Sequence, residues 1–376
     1  MVRRPITPTT VEGNLRMRVP AQLPGLASTR FAGMSLILVA TLAACGGSAP
    51  TATPAGVVAS SAATPSAPAP SAAPSAPALA PASSAPASSS SPSLQPLALL
   101  WEKGGPTPSQ PETFQPAVDP ATGNVWVAAS YDNKFWIFSP DGKYLESWGT
   151  PGKGDGQLAL TTNDMNPDGR GSIAFLADGS YFVADTGNYR VQKFDRNRHY
   201  VSQFGGFGHG DGKFSRPLQM ATDGKTIFVT DDDLATIQAF DMGGRYLRAF
   251  PWTSYGGFTL DDAGRLVTAL GAEAEPTKIV VFVLDAGTGQ RVATYPLPPI
   301  GRVVNGLAVS ATGDIFANVA ANDGGAAVGL VELDPTGKVI GTWSTAGQTA
   351  AVAPDGKAIY LGSNWPYIRK YALPKP

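Results

Sequence analysis

Gly171 to Gly205 reads GSIAFLADGSYFVADTGNYRVQKFDRNRHYVSQFG. Short apolar runs alternate with turns: Ile173–Phe175, then Ala177-Asp178-Gly179-Ser180, then Tyr181–Val183, a polar loop, Val191–Phe194, another turn and Tyr200–Phe204. Runs of this length, rich in aromatic and β-branched residues and bounded by Gly, Asp and Asn, are strands. The same turn-then-strand phrase occurs elsewhere. Thr122-Gly123-Asn124, Asp223-Gly224, Ala263-Gly264, Thr312-Gly313 and Asp355-Gly356 each lead into an apolar run, beginning near Val125, Ile227, Leu266, Ile315 and Ile359. Six units at a period of about 40–50 residues, each made of short strands, are the pattern of propeller blades.

Landmarks at the end of each third strand count the blades. Phe138, Phe194, Phe240, Leu284, Leu333 and Tyr371 lie 56, 46, 44, 49 and 38 residues apart, the first interval being lengthened by an insertion near Asn163–Arg170. The sixth unit ends just after its third strand and so lacks an outer one. A run that mirrors the outer strands Tyr144–Trp148 and Lys338–Trp343 stands at the other end of the domain, at Leu97–Trp101. An all-β, six-bladed propeller over 97–376, with this N-terminal strand closing the last blade, is therefore expected. Such closure removes the open edges between first and last blades.

The 376 residues carry 28 basic and 29 acidic side chains, becoming 23 and 28 without the first 44, so no basic stripe marks a nucleic-acid partner. From Gly46 to Ser93 there is no charged and no aromatic residue, and every Trp lies at or after Trp101. A stretch of Ala, Pro, Ser, Thr and Gly cannot bury enough apolar surface to offset its ordering entropy, so 45–96 is expected to be a disordered tether. Before it, Phe31–Ala44 is an uncharged apolar run that follows Arg30 and ends in small residues, the form of a secretory h-region. Leu42-Ala43-Ala44-Cys45 resembles the lipobox of bacterial lipoproteins. That resemblance makes 1–44 a signal peptide and Cys45 an acylated N-terminus. It places the protein outside the cytoplasm, anchored by lipid to the cell membrane, or to the outer membrane where the organism has one. Two acyl chains give stable anchoring where one does not.

The second unit also resembles the NHL repeat. Ala184-Asp185-Thr186-Gly187-Asn188 with Arg190 match its characteristic loop, and the glycine-rich connectors GKGDGQL (152–158) and GHGDGKF (208–214) match its linkers. The resemblance is strong in the first three units and weaker in the last three, where the loop is replaced. It implies a structural use for Asp185 and Arg190, bonding loop backbone and adjacent blades. Asp185, Asn188 and Arg190 are nonetheless also candidates for a ligand face, because loops at one end of a propeller converge.

Chemistry-bearing residues are sparse. Two histidines, His199 and His209, cannot supply the three-histidine zinc site of some propeller lyases, and there is no Gly-x-Ser-x-Gly elbow or phosphate loop. Carboxylates are more numerous in the loops between second and third strands: Asp132, Asp185, Asp231, Asp232, Asp233, Glu273, Glu275 and Asp323, with amides at Asn133, Asn188, Asn322 and Asn364. Gluconolactonase-like propellers hold Ca²⁺ with such groups, and a hard cation suits them, so Asp231–Asp233 is the candidate Ca²⁺ site. Turn formation explains the same residues without a metal. Trp252, Tyr255, Trp365 and Tyr367 are candidate recognition aromatics. The reading leans to a lipid-anchored binding or scaffold propeller that recognises a protein, peptide or glycan, with no resident cofactor. The alternative is a Ca²⁺-dependent lactonase- or lyase-like enzyme. A ring of carboxylates around a deep polar channel would favour the enzyme, and an apolar or narrow channel the binder.

Overall fold

The computed structural model describes residues 94–106, 115–162, 171–252, 256–270, 279–321, 327–345, 347–362 and 367–374. All of these belong to the unit Ser83–Pro376. The expected signal peptide and lipobox, Cys45 and the Gly46–Ser93 stretch lie outside the described residues, as do the insertion near Asn163–Arg170, Tyr255, Glu273, Glu275, Asn322, Asp323, Asn364 and Trp365.

Six antiparallel four-stranded blades follow one another around a ring, the fifth extended by a short parallel strand, Gln95–Pro96. The first blade runs Pro116–Val118, Val125–Ala129, Lys134–Phe138 and Tyr144–Trp148, from inner to outer strand. In the second blade the strands are Ile173–Phe175, Tyr181–Asp185, Arg190–Phe194 and Tyr200–Gly205. The third has Pro217–Thr222, Thr226–Asp231, Thr236–Asp241 and Tyr246–Pro251, and blades four and five repeat the order through Ser344. The glycines of the six sequence turns (123, 179, 224, 264, 313 and 356) all take left-handed φ, between 68° and 85°. Only glycine adopts that conformation at no steric cost, which is why the phrase recurs.

Second strands are buried along their whole length because a neighbouring blade covers each face. They therefore read as continuous apolar runs rather than alternating ones. Outer strands alternate, with Leu145, Val201, Val292 and Ile340 turned to solvent. Six core clusters occupy the six gaps between blades. Trp126 and Phe135 meet Tyr181 and Phe194 between blades one and two, Phe182 meets Phe240 in the next gap, and Phe228 meets Phe258 after it. Val281 with Val331 and Phe316 with Ile359 continue the series, and Tyr360 and Ile368 of blade six reach Val125 and Phe138 of blade one. The ring is closed.

Blade six is made from both ends of the domain. Leu99–Gly104 pairs antiparallel with Tyr367–Ala372, Leu99 opposite Tyr371 and Gly104 opposite Tyr367. Closure by an N-terminal strand is as the sequence indicates, but the strand starts two residues later than Leu97. Leu97 instead turns inward and is buried between blades five and six. Just before it, Gln95–Pro96 pairs in parallel with the outer strand of blade five, so ordered pairing also begins earlier than residue 97. Trp101 ties the closing strand to blade one, donating its indole N–H to the Pro140 carbonyl at 3.1 Å, and Glu102 accepts from Arg369 at 2.5 Å.

Candidate functional site: the loop face

In an up-and-down meander the second-to-third loops and the linkers between blades emerge at the same end. Asp185 stands where the second strand of blade two enters this face, and it is fully buried. Its carboxylate accepts from the Ala159 N–H at 2.6 Å, Asn188 Nδ2 at 2.9 Å, Gln192 Nε2 at 2.9 Å and Arg190 Nε at 2.7 Å. Arg190 spends its remaining donors on Gln203 Oε1 at 2.6 Å and on the carbonyls of Gly154 and Gln157 at 2.7 and 3.0 Å. Burial pushes the Asp185 carboxyl above the usual range, against the pull of those donors. The ADTGN-x-R residues thus face inward and clamp the linker of residues 150–160. Asp185 and Arg190 are both buried, and Asn188 donates to the Gly152 carbonyl at 2.9 Å.

The clamp is repeated one blade on. Gln192 accepts from Gly156 N–H and donates to the Gln157 carbonyl, and Gln238 does the same with Gly212 and Lys213. Asp231 takes the place of Asp185. Fully buried, it accepts from the N–H groups of Ser215, Arg216 and Leu234 at 2.8, 3.0 and 3.1 Å, and burial raises its pKa. Arg216 pairs with Asp232 at 3.3 Å and Asp233 at 3.1 Å. Asp231 is thus taken up by backbone N–H groups while Asp232 and Asp233 share Arg216, and among the described residues no three His, Cys, Asp or Glu side chains are grouped to hold a metal ion. Trp252 is core: 6% exposed, it packs with Phe250 and Phe258 and donates to Thr268 Oγ1 at 3.2 Å. His199 lies at the opposite face, bonded to Asp195, while Tyr367 is exposed.

A central cavity of about 220 Å³ is lined from all six inner strands, through residues such as Pro116, Ile173, Met220, Phe258, Leu307 and Ala351. No ionisable side chain is among its described lining residues.

One feature of the loop face is not foreseen in the sequence. Tyr189 holds φ at +57°, the position that Asn133 fills in blade one (φ +53°) and Ala235 in blade three (φ +50°). Asparagine tolerates this region, whereas a bulky aromatic is an outlier there. The Tyr189 ring meets Phe207 edge-on with centroids 5.0 Å apart, and Phe207 meets His209 at 6.0 Å. Phe207 is 66% exposed, more than any other large apolar side chain described. Its loop is nevertheless fixed. Gly208 N–H donates to Phe214 O, Phe214 N–H to Gly206 O, Gly206 N–H to Tyr189 O, and Lys213 Nζ to Gly205 O. The sister linker, held by the same Gly152-to-Leu158 bond, has Pro151 and Lys153 in place of Phe207 and His209. The fold is thus satisfied there without aromatic rings. Aligning TPGKGDGQL (150–158) with FGHGDGKF (207–214) would have exposed the substitution.

Geometry and chain order define the class: a closed six-bladed β-propeller. No family model matches the chain. Protein brain tumor of Drosophila melanogaster is 28% identical over 116 residues, a match covering 29% of this chain and 11% of the fly protein. The chain thus spans about a tenth of that relative's length.

Proposed function

We propose that this propeller is a binding module of NHL type whose ligand docks on the loop face, anchored by the ledge of Tyr189, Phe207 and His209. The observation that carries the reading is the exposed Phe207, held rigid at a place where the sister linker needs no ring. Exposed, pre-organised aromatics are the usual anchors of protein recognition, giving large contact area at low entropy cost. Asp185, Asp231, Asp232 and Asp233 are engaged by linkers and arginines, and the described channel lining offers no acid or base, which supports a binder over an enzyme. The NHL assignment is supported by the ADTGN-x-R loop and by the local match to the fly protein.

The ligand class that suits the ledge is a protein or peptide with an apolar pocket; a glycan is the other reading carried from the sequence. Swapping in the sister linker's own residues, Tyr189→Asn with Phe207→Pro and His209→Lys, is the test. Cross-linking and capture from envelope extract with wild-type and swapped chains should lose a saturable partner in the swap, with an unchanged melting curve. Identical capture by both would remove the ledge from the account. We further propose that Cys45 carries a lipid anchor placing the module outside the cytoplasm. Cys45→Ala should abolish lipid labelling and membrane fractionation, and a normally processed membrane form of the variant would overturn the anchor.

A further inference from the structure

At the face opposite the ledge, the blades follow a common rule. The turn between third and outer strands lays a left-handed glycine against a ring on the preceding blade's outer strand. Gly244 meets Phe204, Gly289 meets Phe250, Gly337 meets Tyr295 and Gly142 meets Trp101. In blade two Arg198 takes the glycine's place, also at positive φ, and reaches Glu146 at 2.7 Å. Blade six has no such turn, because its third and outer strands come from opposite ends of the domain. Trp343, which by register is the corresponding ring of blade five, donates its indole N–H to Glu332 at 3.2 Å instead.

Beside the place where the missing turn would stand is a cavity of about 410 Å³. Its floor is apolar, formed by the buried Phe316 and Leu373, and among its described lining residues Asp314, Glu332 and Asp355 stand against one cation, Lys357. Small-molecule sites occupy about 300–1,000 Å³ and combine an apolar lining with a few placed polar groups. Among the described residues no Lys or Arg pairs with Glu332, Asp314 or Asp355. Asp314 is satisfied by the hydroxyls of Ser310 and Thr312. Glu332 is half-buried with one indole donor, and both burial and the nearby Asp314 raise its pKa. A partly desolvated carboxylate with no counter-ion gains most from an incoming cation that brings its own apolar cover.

We propose that this seam cavity binds a small organic cation, an ammonium or guanidinium group carried on an apolar stem. The stem lies on Phe316 and Leu373 while the charged head meets Glu332, with Asp314 and Asp355 adding longer-range attraction. This site is independent of the loop-face ledge.

Calorimetric titration of the full chain with phenethylamine and with its neutral counterpart 2-phenylethanol tests the proposal. The amine should bind one to one and about tenfold or more tighter than the alcohol. Glu332→Gln keeps an acceptor for the Trp343 indole and should reduce the amine to the affinity of the alcohol. Lys357→Glu, at an exposed position, should tighten amine binding in the opposite direction, and added salt should weaken the amine but not the alcohol. Equal affinity for amine and alcohol in the wild type, absence of saturable amine binding, or an amine affinity unmoved by both variants would each overturn the proposal.

Discussion

Asp185 is fully buried beside an arginine that is itself only 9% exposed, and each is satisfied chiefly by the other and by the linker. Removing one charge of such a pair leaves the other buried without compensation. Asp185→Asn is expected to cost about 3–5 kcal/mol in thermal or denaturant unfolding. Arg190→Lys should fare little better, because a point-like ammonium cannot serve Asp185, Gln203 and two carbonyls at once. A variant at either residue that melts like the wild type would show the clamp to be dispensable. The ADTGN-x-R phrase was legible as a loop motif, and its resemblance pointed to a structural use. What could not be read was the identity of its partners. Ala159 and Gly154 lie 26 and 36 residues upstream of the groups they bond, across a linker whose path only the folded ring determines.

At the scale of elements, the linkers decide what the loop face can do. Asp231 caps three backbone N–H groups of the second linker and its own loop, so it is more than a turn former. Asp231→Asn should therefore destabilise the fold by about 1–3 kcal/mol, since a buried donor left unpaired costs that much. Asp232→Asn and Asp233→Asn, whose ion pairs are with the partly exposed Arg216, should change little. Calcium is expected to leave the melting curve of the wild type where it is, because Asp231 is taken up by backbone N–H groups and Asp232 and Asp233 by Arg216. A calcium-dependent rise in melting temperature, absent in Asp231→Asn, would restore a metal role. The strands and turns behind these linkers were visible from the recurring glycines and apolar runs. The ledge was not, because exposure of Phe207 depends on how Tyr189, Gly206 and Phe214 hold its loop, and no local pattern records that.

For the molecule as a whole, stability rests on closure. The closing strand carries Trp101 against Tyr360, with ring centroids 5.8 Å apart, and against the turn of blade one, while Leu97 fills the gap between blades five and six. A chain starting at Pro106 loses these contacts and exposes the edge of Tyr367–Ala372. With roughly 1.5–3 kcal/mol at stake per buried large side chain, it should melt far below a chain starting at Leu94, or aggregate. Matching melting temperatures for the two would refute closure by this strand. Blade count and the source of the last outer strand followed from spacing alone. The starting residue did not, since a two-residue shift in register leaves the same apolar run available for pairing.

Joining Leu99 to Tyr371 also sets an order of events in time. This strand, made before any complete blade, is among the last to find its partner, for about 270 residues must be made in between. At about 5–20 residues per second that is a wait of roughly a quarter of a minute to a minute, during which blade six does not exist. Until then a neighbouring nascent chain can offer the same third strand. Exchange of Leu99–Gly104 between two copies is accordingly the misassembly this architecture must outrun, and slow synthesis or crowded expression should reveal it as a strand-swapped dimer.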